Sequence, residues 1–290
     1  MNGSGVVPAR VASAEGDPTR AEEQVAADRR LDGQVAGITG AAGVIGRAIA
    51  RRFVEAGARV ALGDLDGAQA IAAARQLGGE DRAAGMEFDV TSREACRSFV
   101  ASTAAAFGRL DILVCAAGIT HVDRLLAVDE ATWRRVFAVN LEGVLWCLQA
   151  AAEVMGAQPV HAATGRRGTV VGIGSQGGEF PLTTSTAYGA SKRALVYLTQ
   201  TAAVELAPSS IGVSVVLPGM VYEGMWRSVN ATRSQMRGED FARRIHLDLA
   251  ETPTGRFQRP EDLADMVLFA ATSRGLELNG KTLWSEAHVT

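Results

Sequence analysis

The chain lacks an excess of positive charge and any long apolar run. Its 290 residues carry a net charge of −3 with a pI near 5.9, so no basic field is available to hold nucleic acid or an anionic membrane. No apolar stretch reaches the roughly 18 to 20 residues that span a bilayer, and the first residues lack the pattern of a signal peptide. We therefore expect neither nucleic acid nor a membrane as a partner, and a cytoplasmic location.

Cysteine and histidine are also scarce. The three cysteines, Cys96, Cys115 and Cys147, are far apart and lie among apolar neighbours, which favours buried thiols over disulfides. The four histidines form no pair at metal-ligand spacing. We predict no metal site.

Large apolar side chains are almost missing from residues 1–30, where we expect a disordered tail, or a short docked helix over PTRAEEQVAADRR. Over 31–290, β-branched runs alternate with helical stretches. This predicts an α/β single-domain Rossmann fold, with a doubly wound seven-stranded parallel sheet and helices on both faces. The strand candidates are QVAGI, RVALG, MEFDV, DILVC, TVVGI, GVSVVL and KTLWS, and helices should begin near Val44, Gly67, Ser92, Asp129, Tyr188 and Pro260. The polar segment 222–249 is typical of a substrate lid or loop.

A glycine-rich turn follows the first strand candidate, in TGAAGVIGRAIARRF. Glycines let the backbone approach a pyrophosphate, and the N–H groups at the start of the next helix attract its charge. Asp64 lies 18 residues after Gly46, where a carboxylate can hydrogen-bond a ribose 2′-hydroxyl and would repel a 2′-phosphate. Because neither Leu65 nor Gly43 supplies a basic side chain, the sequence favours NAD over NADP. The alternative role for Asp64 is a helix N-cap or turn residue.

One of only three tyrosines, Tyr188, lies four residues before Lys192 in TSTAYGASKRALVYLTQ. At this spacing the two side chains share one helix face, so the ammonium can act on the phenol. Taken alone, the two residues could equally be a surface pair.

Several motifs keep a common order and spacing: Thr39-Gly40 with Gly46, Asp64, Asp89 in FDV, AAG at 116–118, NLEG at 140–143, Ser175, YGASK at 188–192 and PG at 218–219. Over about 31–283 this arrangement resembles the short-chain dehydrogenase/reductase family, including its usual gap of 13 residues between serine and tyrosine. The resemblance implies a catalytic tetrad of Asn140, Ser175, Tyr188 and Lys192. It also implies a dinucleotide site made of Thr39, Gly40, Gly43, Ile45, Gly46, Asp64, Leu65, Asp89, Val90, Ala116, Ala117, Gly118, Tyr188, Lys192, Pro218, Gly219 and Val221.

The chemistry of these side chains suits hydride transfer between an alcohol carbon and a nicotinamide. A tyrosine titrates near pH 10, and a cation beside it favours the phenolate needed as a base. We expect Lys192 to supply that cation, Ser175 to hold the substrate oxygen, and Asn140 to position a water that links Lys192 to solvent. Considered singly, Ser175 could be a strand-end cap and Asn140 an amide at a helix kink.

Four positions depart from the family pattern. Val44 stands where the common single-domain branch has glycine, and the TGAAGVIG spacing is similar to the epimerase branch, which the chain's length excludes. Cys115 replaces the asparagine of NAG, and Glu223 stands near a common threonine. SEAH replaces the usual VDGG ending.

We predict an NAD(P)-dependent oxidoreductase that interconverts a secondary alcohol and a ketone, with a polyol, sugar or cyclitol as substrate. The predicted substrate residues are Gln176, Phe180, Met220, Tyr222, Glu223 and Trp226, with Gly177 and Glu179 beside them. The alternatives are a ketone reductase of secondary metabolism and a dinucleotide-binding sensor without turnover. Alanine- and leucine-rich helices near Asp129 and Tyr188, through which family members commonly pair, predict a homotetramer or homodimer.

Overall fold

The computed structural model describes residues 30–162, 164–272 and 277–285. The expected N-terminal tail with its alternative helix lies almost wholly outside the described residues, as does most of SEAH. One seven-stranded parallel sheet organises the described part. Its strands are Val35–Thr39 (β1), Arg59–Asp64 (β2), Ala83–Glu87 (β3), Ile112–Cys115 (β4), Gly168–Ile173 (β5), Ile211–Leu217 (β6) and Thr282–Trp284 (β7).

Nine α-helices accompany the strands in the described ranges. They are Val44–Glu55 (α1), Gly67–Gln76 (α2), Arg93–Phe107 (α3), Glu130–Phe137 (α4), Gly143–Ala157 (α5), Thr186–Leu206 (α6), Met225–Arg237 (α7), Phe241–Glu251 (α8) and Pro260–Ala271 (α9). The six predicted helix starts all fall within two residues of an observed start.

The strand order is β3-β2-β1-β4-β5-β6-β7. The chain leaves β1 toward β2 on one side and returns to β4 on the other, so the connections diverge between β1 and β4. In such sheets the crevice at the carboxyl ends of these strands is the usual ligand site. The predicted doubly wound Rossmann fold is confirmed.

Both faces of the sheet are buried, which explains the nearly continuous apolar character of the central strands. Along β4, Ile112 and Val114 pack with helices α1, α2 and α9, whereas Leu113 and Cys115 pack with α3, α5 and α6. Two separate apolar layers therefore hold the carboxyl ends of the strands in fixed positions.

The third strand begins earlier than MEFDV predicted. It pairs with β2 from Val60↔Ala83 to Asp64↔Glu87, and β2 ends at Asp64. The Phe88 N–H still donates to the Asp64 carbonyl at 2.8 Å, but β2 ends at Asp64, so Asp89 and Val90 follow the paired region. The shift places Asp89 and Val90 at the crevice.

The segment 222–249 is mostly helical. Helix α7 buries Asn230 and Ser234, two polar residues at i, i+4, which interrupt the apolar pattern begun by Trp226 and Val229 on its cavity side. Gly238 ends α7 in the left-handed conformation, and the Asp240 side chain caps α8 by accepting a hydrogen bond from the Ala242 N–H. Two helices therefore cover the site where a lid or loop was expected.

Candidate active site

The glycine-rich turn after β1 is built for close backbone approach. Gly40 has φ of 66°, and a Cβ there would lie 2.6 Å from the Ala117 backbone. A Cβ on Gly46 would lie 2.3 Å from the Gly40 carbonyl oxygen. Only glycine fits either place without moving the backbone. The turn leads directly into α1, whose first N–H groups face the crevice edge of the sheet.

Asp64 joins this turn to the end of β2. Its two carboxylate oxygens accept hydrogen bonds from the N–H groups of Ala42 (2.9 Å) and Asp66 (3.0 Å). The N-cap of α2 is Asp66, so Asp64 serves as a turn residue as well as a cavity-lining group. Each carboxylate oxygen retains a further lone pair that can accept from a ligand hydroxyl.

Tyr188 and Lys192 lie one turn apart on the first turns of α6. The Lys192 ammonium lies 5.9 Å from the centre of the Tyr188 ring and donates a 2.8 Å hydrogen bond to the Ile173 carbonyl at the end of β5. Ser175 follows that strand end, and its hydroxyl hydrogen-bonds the Tyr188 phenol and accepts from the Gly177 N–H. Sheet and helix thus bring the three side chains together.

Burial controls the protonation of both partners. It lowers the pKa of Lys192 from 10.5 to about 8. Burial also raises the pKa of the Tyr188 phenol, while the Ser175 hydrogen bond lowers it. The expected lowering of the tyrosine pKa is therefore not found in the chain alone, because desolvation has the larger effect.

Asn140 lies in a π-helical turn, Ala138–Glu142, between α4 and α5. Its side chain is fully buried, accepts from the Ile119 N–H at 2.9 Å, and donates to the Ile119 carbonyl and the Ser191 hydroxyl. The Asn140 amide thus links the segment after β4 to α6, the helix that carries Tyr188 and Lys192. A Cβ added to Gly118 would lie 3.4 Å from the Lys192 nitrogen and 3.5 Å from Asn140 Oδ1, so both groups face one small space above Gly118.

A cavity of about 770 Å³ opens at the carboxyl ends of the strands. It is lined by every residue predicted for the dinucleotide except Thr39, whose buried hydroxyl instead accepts from the Ala117 N–H. Ser175, Tyr188 and Lys192 line it, whereas Asn140 lies behind the wall. Of the predicted substrate residues it includes Gln176, Phe180, Met220, Glu223 and Trp226.

Two residues expected near the substrate point elsewhere. Tyr222 packs its ring against Trp226 and Phe257, with centroids 5.5 and 5.3 Å away. Glu179 forms an ion pair with Arg193 on the outer part of α6. Neither lines the cavity, because Tyr222 packs behind Trp226 against Phe257 and Glu179 is paired with Arg193 outside it.

Comparison with known proteins agrees with this site. A family model described as "short chain dehydrogenase" matches residues 34–234, which is more than half of the chain. The chain belongs to the short-chain dehydrogenase family. It is 34% identical to sorbitol dehydrogenase of Cereibacter sphaeroides over 84% of this chain and 92% of that protein. It is 35% identical to cis-4-hydroxycyclohexanecarboxylate dehydrogenase of Sinomonas cyclohexanicum over 82% and 89%.

A solved structure shares both the sequence and the fold. It is a short-chain type dehydrogenase/reductase from Mycobacterium marinum, with TM-score 0.78 and 30% identity over 88% of this chain and 95% of that one. This short-chain dehydrogenase is thus an oxidoreductase that interconverts a secondary alcohol and a ketone. Its cofactor is a nicotinamide dinucleotide, NAD or NADP.

The residues present fit such a cofactor. A cradle in which a Cβ would collide at Gly40 and Gly46 admits a pyrophosphate close to the backbone. Asp64 lies within reach of the same turn, and Tyr188 and Lys192 line the same continuous cavity. One continuous cavity therefore offers room for the pyrophosphate, the ribose and the nicotinamide of such a cofactor.

The structure explains two of the four departures from the family pattern. A Cβ on Gly224 would lie 3.2 Å from the Val44 side chain, so valine in the cradle packs beneath the loop that leads into α7. Ser285, the first residue of SEAH, accepts from the Gly219 N–H at 3.1 Å and donates to the Leu217 carbonyl. It thereby fixes the end of β6 beside the cavity.

The structure also shows where the other two departures, Cys115 and Glu223, lie. Cys115 is buried in β4, and burial raises the pKa of its thiol to about 12, so it is an inert apolar residue. Glu223 lines the cavity in the loop before α7.

The sequence reasoning missed a group of charged residues in the cavity wall. They are Arg135 on α4, Arg233 and Arg237 on α7, and Arg244 and Asp248 on α8. The available signal was spacing, since Arg233 with Arg237 and Arg244 with Asp248 are i, i+4 pairs on single helix faces. Because the sequence did not predict helices α7 and α8, this spacing could not be recognised as two charged helix faces.

Within the described ranges, none of the helices is long and apolar enough to cross a membrane. The same residues contain no cluster of three or more histidine, cysteine or acidic side chains that could hold a metal ion.

Proposed function

We propose that this short-chain dehydrogenase uses NAD to oxidise one hydroxyl of a polyol, sugar or cyclitol, and reduces the matching ketone in reverse. The observation that carries the proposal is the convergence of Ser175, Tyr188 and Lys192 on a cavity that also contains the glycine cradle and Asp64.

Tyr188 is the acid/base group in this proposal. In ketone reduction its protonated phenol donates to the developing alkoxide, while the Ser175 hydroxyl holds the same oxygen. In alcohol oxidation the phenolate accepts the hydroxyl proton. When bound, the oxidised nicotinamide supplies the hydride acceptor and a positive charge that, with Lys192, opposes the effect of burial on the Tyr188 pKa.

Lys192 and Asn140 have supporting roles. The Ile173 carbonyl fixes the ammonium beside the Tyr188 ring. A water in the space above Gly118 would lie between Lys192 and Asn140 and connect the phenol to solvent. Asn140 is thus a positioning residue, because its amide holds Ile119 and Ser191.

The preference for NAD rests on Asp64. Its carboxylate lines the cavity beside the glycine turn, where it would accept from a ribose hydroxyl and repel a 2′-phosphate. The following residue, Leu65, is 65% exposed and offers no positive charge.

The polyol class rests on the wall of the cavity. Gln176 and Glu223 offer polar groups beside Phe180 and Trp226, a combination that suits a ligand with several hydroxyls on an apolar carbon frame. The similarity to sorbitol dehydrogenase supports a hydroxyl-rich substrate, and the similarity to a dehydrogenase of a hydroxylated ring supports a cyclic one.

The active unit in this proposal is a homo-oligomer, a tetramer or a dimer, in the cytoplasm. On the outer face of α6, Tyr197 is 74% and Val204 is 75% exposed, and a second subunit would cover them. The three thiols are free and buried, as expected of a reducing compartment.

A substrate screen tests the function. Purified protein is mixed with NAD and, one at a time, sorbitol, galactitol, inositol and simple secondary alcohols, and NADH absorbance is followed. The same panel is repeated with NADP and with the Tyr188→Phe variant. We expect turnover of at least one polyol or cyclitol with NAD. Lack of turnover of every alcohol in the panel would contradict the proposal.

A further inference from the structure

Three arginines line the part of the cavity formed by helices α7 and α8. Arg233 and Arg237 extend from α7 and Arg244 from α8. We call these three residues the arginine subsite. None has a role in the hydride and proton transfers described above.

Arg233 makes its hydrogen bonds to neutral oxygens. Its Nε donates to the Thr184 hydroxyl at 3.2 Å, and its two Nη atoms donate to the Ser185 hydroxyl at 2.8 Å and the Asn230 amide oxygen at 3.5 Å. Three of its five N–H groups are thereby occupied, and two remain. Burial lowers the pKa of Arg233, and the charges of Arg237 and Arg244 lower it further.

Among the described residues, no carboxylate forms an ion pair with Arg233 itself. Asp248 is buried and forms an ion pair with Arg244, and it is the carboxylate that favours the charged form of Arg233. Arg237 donates to the Thr183 hydroxyl at 3.0 Å. Arg237 is exposed, whereas Arg233 is partly buried and its hydrogen bonds within the described chain go to neutral oxygens. The Arg233 charge therefore lies in a partly desolvated wall without a carboxylate bonded to it, which is unfavourable until an anion enters.

The arginine subsite also lies against the start of α6, the helix that carries Tyr188 and Lys192. Ser185, which accepts from Arg233, is the N-cap of α6 and makes no side-chain cap hydrogen bond. A helix N-terminus has partial positive charge, so a guanidinium there is repelled while an anion is attracted. Thr184, the other partner, is held at φ of 65°, a costly conformation for threonine that brings its hydroxyl to Arg233.

The subsite is close to the reacting groups. Ser185 precedes Tyr188 by three residues, so their Cβ atoms are on the order of 5 to 6 Å apart on one helix face. A molecule whose alcohol oxygen contacts Tyr188 can therefore extend to Arg233 within the same cavity.

We infer that the arginine subsite binds an anionic group, a carboxylate or a phosphate, located several bonds from the alcohol carbon of the substrate. This inference rests on the proposed function, since it names the class of hydroxylated molecule that the site takes. Arginine forms paired hydrogen bonds to both kinds of anion.

Matched substrate pairs test the inference and separate the two anions. One pair is 4-hydroxycyclohexanecarboxylate and its uncharged carboxamide; the other is sorbitol 6-phosphate and sorbitol. We expect the anionic member of at least one pair to have a kcat/KM about tenfold higher or more, the scale of a hydrogen bond to a charged group, with the difference mainly in KM. Equal values within both pairs would overturn the inference while leaving the proposed function intact.

Variants assign the effect to the subsite. Arg233→Gln and Arg237→Gln should each lower the anionic-to-neutral ratio of kcat/KM about tenfold. Because Arg233 also holds Ser185 beside Tyr188, the ratio is the decisive quantity, and Arg237→Gln provides a second reading away from Ser185. Arg227→Gln is the matched control, since Arg227 lies on the same helix but stacks on Tyr222 outside the cavity. A ratio unchanged in both subsite variants, or lowered equally in the control, would refute the assignment.

Calorimetry tests the subsite without turnover. Cyclohexanecarboxylate and inorganic phosphate are titrated into the wild type and the same variants. Saturable binding that is lost in Arg233→Gln and Arg237→Gln but kept in Arg227→Gln supports the subsite, even if no alcohol is oxidised. Absence of binding by both anions, or binding that survives in both subsite variants, counts against it.

Discussion

We expect the buried charge of Lys192 to destabilise the folded protein. Burial lowers its pKa from 10.5 to about 8, and each pKa unit corresponds to about 1.4 kcal/mol, so the buried charge costs about 3 kcal/mol at pH 7. Lys192→Met removes the charge at similar volume but leaves the Ile173 carbonyl without its donor, at a cost of about 1 kcal/mol. We therefore expect the variant to be about 2 kcal/mol more stable at pH 7 and about 10²-fold or more slower in kcat.

The pH dependence gives the sign of this effect. Because the folded pKa of Lys192 lies below the unfolded one, the unfolded chain binds more protons between about pH 8 and 10.5. The wild type should therefore gain stability relative to Lys192→Met as pH rises through that window. Burial raises the pKa values of Cys115 and Tyr188 in both proteins, and this shared contribution of burial cancels in the difference.

Urea unfolding at pH 7, 8.5 and 9.5, at one protein concentration, measures the difference in unfolding free energy. The matched control is Lys281→Met, which changes the only other lysine of the chain, an exposed one. The reasoning would be refuted if Lys192→Met were less stable than the wild type at pH 7 and the difference did not depend on pH. Burial would then not disfavour the charged form of Lys192.

Three further predictions concern chemistry, cofactor and assembly. Tyr188→Phe should lower kcat by about 10² or more, since it removes the acid/base oxygen, while NADH binding followed by fluorescence persists; near-normal turnover would exclude the proposed role. NAD should exceed NADP about tenfold or more in kcat/KM, the scale of one unpaired charge contact, and Asp64→Ala should narrow that ratio; equal wild-type values would contradict the assignment of Asp64. Light scattering should give a mass well above the 30.4 kDa of one chain, and Tyr197→Glu on α6 should shift it toward the monomer, whereas a monomeric wild type would refute pairing through this face.

Much of the site followed from local sequence. Gly40 and Gly46 indicate a close approach of two backbone segments, because only glycine tolerates it. The spacing of Tyr188 and Lys192 indicates that they share a helix face. The parallel sheet with helices on both faces followed from alternating strands and helices, since parallel strands need crossover connections. These features depend on residues near one another in the chain, so patterns report them directly.

Other features depended on the folded chain. The end of β3 was set by where β2 stops, the turn role of Asp64 by the approach of Ala42, and the Tyr188 pKa by desolvation from several elements at once. Helices α7 and α8 were not predicted because their fully buried positions are polar: Asn230, Ser234 and Asp248. The arginine subsite exists only where these two helices meet the start of α6. Burial and local charge depend on groups far apart in sequence. The sequence by itself therefore determined which residues can carry out hydride transfer, and only the tertiary structure determined the burial and charges around them.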